Sequence, residues 1–431
     1  MPRWLIWLLV LLPFLFGTCI ELLGLPWAIR YLLDAVWILL LLCMTRIRRQ
    51  SKTPTKWLAF WIGAFLLYTL VNYGANYQSG LYYLWGVRNN FRAYVVFFAG
   101  AAVLTSEDVE DMFRIFEKLF WINAVVTVVQ YFALGLSGDF LGGLFGAQSG
   151  VNGYTNIFCA VIVARSLVLY LEKKESTAKC FAKCGTALLV AVLTELKFFF
   201  VEVLVIIAMA VLLTNFTWRK FWVVLGGILA VFVGAFTISI LFPDFAGWFS
   251  VEWLISEATS EKGYTYDGDM NRLRSIPIIN ELWLRNSSQR LFGLGLGNCD
   301  TASVAALDTH FYKLYGQMHY GWFSYAHMYL ECGWIGLVFY AGFFVLLYLY
   351  INKLRKRTTG MKQSYCRIAL ILTVVSMMLL VYNSSLRTEA AYIMFFALSI
   401  PFVRDEGHRN KKTEGGGGEN GRIPAENLSA G

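Results

Sequence analysis

His327 and Glu331 stand four residues apart in the stretch AHMYLECGWIGLVFY, which runs from Ala326 to Tyr340. A spacing of four places both side chains on one face of a helix. A carboxylate beside an imidazole can orient the ring and raise its basicity, so the pair can act as a general base on a hydroxyl group. The same spacing equally fits a histidine that caps the helix or contacts lipid headgroups. Which of these roles His327 has depends on where the helix that carries the pair lies in the protein.

Cationic residues elsewhere can supply the electrostatic part of such chemistry. Lys197, in TELKFFFVE, either meets an anionic ligand or pairs with Glu195 or Glu202. Arg272 and Arg274 lie in MNRLRSIPIINELWL, an amphipathic segment predicted to pack on a membrane surface. Guanidinium groups match phosphate oxygens, so this segment predicts a pyrophosphate contact, with solvated charge as the alternative for at least one arginine.

A second pair of arginines precedes another apolar run. Arg88 and Arg92, in WGVRNNFRAY, either anchor the chain at headgroups or form a second anion site. Arg30 and Asp34 stand four apart and are predicted to pair with each other.

The composition sets the class of protein. The 431 residues are 58% hydrophobic and 15% charged, with a mean hydropathy of +0.55. Apolar runs of at least 17 residues recur, and each can cross about 30 Å of hydrocarbon. The fold predicted is therefore an all-α polytopic membrane protein, because helices satisfy their own backbone in lipid. The net charge of +9 lies mostly in short loops between the runs, which excludes a nucleic-acid surface.

Hydropathy predicts about twelve transmembrane helices, with one large loop, 243–326, between the ninth and the tenth. The seventh and eighth are either two short helices meeting at a polar turn or one buried helix with a re-entrant piece. The predicted ranges are 4–20, 27–45, 57–73, 92–106, 119–136, 154–172, 186–198, 199–214, 221–242, 327–351, 366–382 and 389–403.

Charge in the loops predicts the orientation. Basic loops such as TRIRRQSKTPTK and NKLRKRTTGMKQSYCR alternate with loops poor in Lys and Arg. By the positive-inside rule both termini are cytoplasmic and the loop 243–326 lies on the outer face. Residues 1–403 then form one transmembrane domain, and 404–431, rich in glycine, form a disordered cytoplasmic tail.

Two motifs of this loop are similar to nucleotide-binding or metal-binding motifs of other proteins. LFGLGLGN, from Leu291 to Asn298, lacks the lysine of a P-loop and predicts a tight turn that approaches another segment or a ligand. DGD, from Asp267 to Asp269, is similar to the metal-binding triplet of nucleotide-sugar glycosyltransferases. No nucleotide sugar exists on the outer face of a bacterial cell, so no metal site is predicted. The many aromatics of the loop either stack on sugar rings or form an interfacial belt.

The layout and four motifs resemble the bacterial O-antigen ligase and O-antigen polymerase superfamily. The motifs are TELKFFF with Lys197, NRLRSIP with Arg272 (or Arg274 in another register), LFGLGLGN, and AHMYLECGWIGLVFY with His327 and Glu331. The chain departs from the family where Met328 follows the histidine and where lysine stands at 197. The lysine is closer to the polymerase-like members and weakens bidentate phosphate contact there.

The resemblance implies a glycosyltransferase of the bacterial cytoplasmic membrane that works on its outer face. It would polymerise undecaprenyl-pyrophosphate-linked repeat units by metal-independent, inverting transfer, with no cofactor. His327 would be the general base and Glu331 its orienter. Arg272 and Lys197 would stabilise the departing pyrophosphate, assisted by Arg274 or Arg88. A flippase and a chain-length regulator would be partners.

Two other functions stay open at this point. The first is a ligase that transfers the same donor glycan to a lipid or protein anchor. The second is a flippase or transporter of the lipid-linked oligosaccharide, although no internal repeat of the kind common in transporters is visible. The repeat unit, the linkage, the chain length and the oligomeric state are not determined by the residues.

Overall fold

The computed structural model describes residues 2–46, 53–215, 218–241, 269–301 and 308–404. These ranges contain helices and no β-strand. The helices up to residue 241 are α1 (Pro2–Leu22), α2 (Leu32–Arg46), α3 (Thr53–Ala75), α4 (Gly80–Val103), α5 (Ser106–Leu134), α6 (Asn152–Leu171), α7 (Thr177–Leu193), α8 (Lys197–Leu213) and α9 (Trp218–Leu241). Beyond residue 268 follow α10 (Ser275–Leu282), α11 (Ser287–Phe292), α12 (His310–Tyr315), α13 (Ser324–Arg355), α14 (Gly360–Tyr382) and α15 (Ala391–Ser399).

The helices fit an all-α membrane protein. Five segments of the described chain are long and apolar enough to cross a bilayer, and Ala391–Phe402 is a shorter apolar helix. A described helix also overlaps each of the twelve predicted ranges. The five are Pro2–Glu21, Thr55–Ala75, Asn152–Leu171, Ser324–Arg355 and Gly360–Tyr382.

Two predicted boundaries are wrong in ways that matter for function. The stretch around Glu195 forms two helices, α7 and α8, joined by a turn in which Glu195 has a left-handed φ of 55°. Lys197 therefore begins α8 and does not end the seventh span. The fourth helix begins at Gly80, twelve residues before its predicted start, so Arg88 and Arg92 lie within α4.

Helices α6 and α14 form the centre of the bundle, because nearly all residues of α6 and more than half of those of α14 are buried. Charged side chains gather at both ends of α6. Tyr154 contacts Glu389 near its first turn, and Arg165 and Glu172 form ion pairs near its last. About 27 Å of helix lies between Tyr154 and Glu172, close to the thickness of a hydrocarbon core. We call these the His327 end and the Arg165 end, because His327 lies in the first charge network and Arg165 in the second.

The glycine-rich turn is built for close backbone contact. Gly293, Gly295 and Gly297 all have positive φ, and a Cβ at Gly293 would lie 2.4 Å from the backbone of Glu331. The amides of Leu294 and Gly295 donate to the carbonyls of Leu330 and Glu331 at 3.0 and 2.8 Å. The prediction that this turn approaches another segment is confirmed, and that segment carries the candidate base.

The tenth predicted span is interrupted directly after that contact. In α13, Gly333 has φ 61° and ψ −166°, so a short helical piece with His327 and Glu331 precedes the long apolar one. A Cβ at Gly333 would lie 2.3 Å from the backbone of Leu291. Tyr68 donates to the Cys332 carbonyl at 2.6 Å, which satisfies a backbone group at this break.

Candidate functional site

His327 and Glu331 meet as their spacing predicts. His327 Nε2 lies 3.3 Å from Glu331 Oε1, and the two side chains are 2% and 0% exposed. The imidazole is therefore inside the protein, so the alternative of a histidine in contact with headgroups is wrong. Glu331 Oε1 also accepts the Cys299 amide at 3.0 Å, which ties the carboxylate to the chain just after the glycine-rich turn.

A second carboxylate, Asp300, faces the same ring nitrogen. Asp300 Oδ1 lies 3.7 Å from His327 Nε2 and accepts Arg387 Nη2 at 2.9 Å, while its other oxygen accepts Asn89 Nδ2 at 2.9 Å. Burial alone would raise the pKa of Asp300, but the Arg387 guanidinium and His327 outweigh burial and hold that pKa below its ordinary value. Asp300 is thus an anion beside the imidazole. We call His327, Glu331, Asp300, Arg387 and Asn89 the His327 cluster.

Several buried polar atoms of this cluster are unsatisfied. Within the described residues, neither ring nitrogen of His327 has a hydrogen bond of good geometry, and Glu331 Oε2 accepts none. Buried polar atoms are usually paired because leaving them unpaired costs about 1–3 kcal/mol. Such a local excess of polar capacity is typical of a site that receives a ligand.

The cluster also has the donor atoms of a cation site. One atom each from Asp300, His327 and Glu331 lies within 4.8 Å of the others, a set that suits a divalent ion. Arg387 already places a positive charge on Asp300, and that charge opposes a second cation at the same carboxylate.

Arg272 is held by aromatic rings close to the cluster. Its guanidinium lies 4.2 Å from the ring centroid of Tyr382 and 5.0 Å from that of Phe323. Phe323 is one helical turn before His327, whose amide donates to the Phe323 carbonyl at 3.0 Å. The Tyr325 hydroxyl donates to the Arg272 carbonyl, so backbone and side chain are both fixed. A guanidinium held by its faces can still present its edge to phosphate oxygens.

Phe198, the residue after Lys197, contacts Tyr382 as well. Phe198 stacks on the Tyr382 ring at 4.0 Å with an interplanar angle of 6°. Tyr382 therefore lies between Phe198 and Arg272, and it links the first turn of α8 to the segment of Arg272. Lys197 also faces the carboxylate of Glu195, whose pKa burial raises and Lys197 lowers in part.

Arg88 belongs to a neighbouring ion-pair network. It forms a bidentate pair with Asp34 at 2.9 and 3.0 Å and lies 4.6 Å over the Trp85 ring. The predicted pairing of Asp34 with Arg30 is thus replaced by one with Arg88, because α4 begins early enough to bring Arg88 beside α2. Arg88 is not in contact with His327, and the link between them runs through Asn89 to Asp300.

Glu389 is the centre of that network. Arg92 donates to it at 2.8 Å, Tyr154 donates to its other oxygen, and Arg88 lies 3.7 Å away. Arg92 and Arg88 therefore balance the negative charge of the Glu389 carboxylate. Arg92 also donates to the Arg387 carbonyl at 2.9 Å, which joins this network to the His327 cluster.

Arg274 and the acidic triplet are less informative. Arg274 precedes α10 and its amide donates to Asn271 Oδ1 at 3.2 Å. Asp267 and Gly268 of the triplet lie outside the described residues, as do the rest of 243–268 and residues 302–307 of the loop that was predicted to be external, and Asp269 is buried.

Sequence reasoning missed Asp300, Arg387, Asn89 and Glu389. Asp300 follows the glycine-rich turn by two residues, and Arg387 and Glu389 lie in SSLRTEA, a short connection between two apolar helices. Charged residues in so short a link between membrane helices were a usable signal, because such charges are costly unless they have partners.

Comparison with known proteins returns no family model that matches the chain and no significantly similar curated protein. The resemblance to the O-antigen ligase and polymerase superfamily therefore rests on the four motifs and the helical layout.

Proposed function

We propose that the chain polymerises undecaprenyl-pyrophosphate-linked oligosaccharide repeat units by inverting glycosyl transfer at the outer face of the bacterial cytoplasmic membrane. In this proposal the twelve apolar segments all cross the membrane, and both termini are cytoplasmic. The His327 end then faces outward, where an exported lipid-linked glycan is the available donor. The bond to pyrophosphate stores the energy of transfer, so no nucleotide is consumed.

The observation that carries the proposal is a buried histidine between two carboxylates. A general base needs an imidazole held in one orientation with a nitrogen able to accept a proton. Glu331 and Asp300 face Nε2 and provide the orientation, and the ring has no competing hydrogen bond within the described residues. A purely structural histidine at 2% exposure would have its nitrogens satisfied.

The chemistry then follows from charge. His327 takes the proton of an acceptor sugar hydroxyl as that oxygen attacks the anomeric carbon of the donor. The bond between that carbon and the pyrophosphate oxygen breaks, and its electron pair leaves with the pyrophosphate. In this proposal the cations that meet the pyrophosphate are Arg272, held against Phe323 and Tyr382, and Lys197, whose chain neighbour Phe198 stacks on Tyr382. Fixed cations stabilise the departing charge, which is usually the largest contribution to such catalysis.

The test uses purified protein and a lipid-linked repeat unit, and we expect a ladder of products that grows by whole units. His327→Ala should abolish the ladder, whereas His310→Ala, which changes an exposed histidine of α12, should leave it unchanged. The two variants are compared only if they fold to the same extent in detergent.

Three results would contradict the proposal. Full activity of His327→Ala would remove the general base. Transfer of a single glycan to an anchor lipid or protein, without a ladder, would make the protein a ligase. Movement of the donor across vesicles with no new glycosidic bond would identify a transporter.

A further inference from the structure

The two edges of the His327 ring have different surroundings. The Nε2 edge faces Glu331 Oε1 at 3.3 Å and Asp300 Oδ1 at 3.7 Å. Both carboxylates accept N–H donors, from Cys299 in one case and from Arg387 and Asn89 in the other. Anionic acceptors on this edge favour the tautomer that carries its proton on Nε2.

The Nδ1 edge faces the backbone of Gly321. A Cβ placed on Gly321 would lie 3.6 Å from His327 Nδ1, with no other described heavy atom outside its chain neighbours within 4 Å. Gly321 is partly exposed although His327 is buried. Among the described residues, Nδ1 is therefore covered by a partly exposed residue that has no side chain.

The ring face is closed by Tyr320. Its ring lies 5.9 Å from the imidazole at an interplanar angle of 24°, and its hydroxyl donates to the Cys299 carbonyl at 2.7 Å. Trp283 and Phe311 pack edge-on against Tyr320 at 5.6 and 5.4 Å. Within the described residues, Tyr320 covers one face of the ring and the carboxylates face its Nε2 edge, whereas the Nδ1 edge beside Gly321 is left open to a small group.

We infer that Nδ1 of His327 is the basic nitrogen and that Gly321 admits the acceptor hydroxyl to it. This inference rests on the proposed function. The hydroxyl gives its proton to Nδ1 while its oxygen bonds to the anomeric carbon and the pyrophosphate leaves with the electron pair of the broken bond. Glu331 and Asp300 are positioning residues whose negative charges favour a proton on Nε2. Gly321 sets how large a group can reach the base, and so favours an unhindered hydroxyl.

Gly321→Ala tests this inference directly. Gly321 does not have positive φ, and the added Cβ would be in ordinary contact with Nδ1, so the backbone tolerates alanine. A hydroxyl oxygen must come to about 3 Å from the nitrogen, into the volume which that methyl group would fill. We expect kcat/KM for the acceptor glycan to fall at least tenfold, mostly through KM. Hydrolysis of the donor by water should persist, because water is smaller. Gly321→Val should be lower still.

The matched control is Gly80→Ala. Gly80 is exposed at the start of α4, and its Cβ would lie 3.5 Å from the Tyr73 hydroxyl, again an ordinary contact. This variant should transfer at the wild-type rate. If Gly321→Ala also does so with unchanged acceptor KM, while the wild type makes a ladder, the inference fails and the proposed function stands. A wild type that makes no ladder would instead overturn the proposed function.

A measurement on the wild-type protein does not depend on how the variant folds. Selective ¹⁵N labelling of histidine, with His327→Gln to assign the signal, reports which ring nitrogen carries the proton. In the neutral ring we expect a protonated Nε2 and a bare Nδ1. A bare Nε2 with a protonated Nδ1 would overturn the inference.

Discussion

The two ends of the bundle carry similar charges in different arrangements. At the Arg165 end, Arg165 pairs with Glu110 and Glu117 at 2.7 and 2.9 Å, and Lys183 pairs with Glu117 and Glu175 at 2.7 and 2.6 Å. Each of these carboxylates accepts from a cationic side chain, and none appears among the unsatisfied buried atoms of the described residues. At the His327 end, one oxygen of Glu331 and both ring nitrogens of His327 have no hydrogen bond to any part of the chain that the structure describes.

This difference separates a structural ion-pair network from a site. The Arg165 cluster (Arg165, Lys183, Glu110, Glu117 and Glu175) ties α5, α6 and α7 together. Each of its carboxylates accepts from a cationic side chain, although Arg165 Nε has no hydrogen-bond partner within the described residues. The His327 cluster is also held by ion pairs and hydrogen bonds, but some of its donor and acceptor atoms have no partner within the described residues. Burial and charge alone do not distinguish the two ends, whereas the unsatisfied carboxylate oxygen and imidazole of the His327 cluster do.

Glutamate-to-glutamine changes at the two ends should give the largest contrast. Glu331→Gln removes the charge that holds the Nε2 proton, so we expect glycan transfer to fall roughly tenfold to a hundredfold. Glu117→Gln removes a charge at the Arg165 end. It should leave transfer per folded molecule within about twofold, because the ion pairs that it weakens lie at the end opposite His327. Initial rates of ladder formation, normalised to folded protein, provide the comparison. Equal losses in both variants would erase the distinction.

The next contrast lies within the segment of Arg272. Arg272→Lys removes a planar group held by Tyr382 and Phe323, so kcat/KM for the donor should fall by about tenfold. Arg274→Lys is the matched control two residues away, and its effect should be smaller. Donor titrations of both variants decide between the two registers that the sequence left open. A larger loss in Arg274→Lys would move the phosphate contact to Arg274.

Arg165→Met should lower the stability of the protein without changing the rate of glycan transfer. Glu110 and Glu117 are each about one-third exposed, so water can solvate their carboxylates when Arg165 is removed. We expect the free energy of unfolding to drop by roughly 1–2 kcal/mol, below the ~3–5 kcal/mol of a fully buried pair. Thermal unfolding in detergent measures the shift, and transfer per folded molecule should match the wild type. Lost transfer in fully folded protein would show that the Arg165 end takes part in function.

A chelator should have the smallest effect. Arg387 already neutralises Asp300, and cationic side chains stand where a metal would stabilise pyrophosphate, so EDTA should leave the ladder unchanged. Ladder formation is compared before and after extensive chelation. Inhibition that added Mn²⁺ or Zn²⁺ reverses would show that Asp300, His327 and Glu331 bind an ion needed for transfer.

Most of the helical framework could be predicted from the sequence, because apolar length is a strong signal. The meeting of His327 with Glu331 followed from helical spacing, and the close approach of the glycine-rich turn followed from its glycines. The partners of the base could not be found this way. Asp300 and Arg387 are 87 residues apart and meet only when the turn, α13 and the connection after α14 pack together. Arg88 was misassigned because the start of α4 lies in a stretch too polar for hydropathy to detect.

The two ends of the described chain lie at the same end of the bundle, which supports the even number of membrane crossings that the proposed function assumes. Arg3 pairs with Asp108 at 2.9 Å, and the Arg404 carbonyl accepts the Ser106 amide at 3.1 Å. Both ends of the described chain therefore lie at the Arg165 end, opposite His327. Two termini on one side require an even number of crossings, as twelve would be.

The sidedness of the two ends can be measured by cysteine labelling in spheroplasts. Tyr77, in the turn between α3 and α4 at the His327 end, is 96% exposed, and the Arg114 side chain near the Arg165 end is 71% exposed. With a membrane-impermeant maleimide, Tyr77→Cys should label in intact spheroplasts and Arg114→Cys only after lysis, above the background of the native cysteines. The reverse pattern would place His327 in the cytoplasm, away from any exported donor, and would contradict the account.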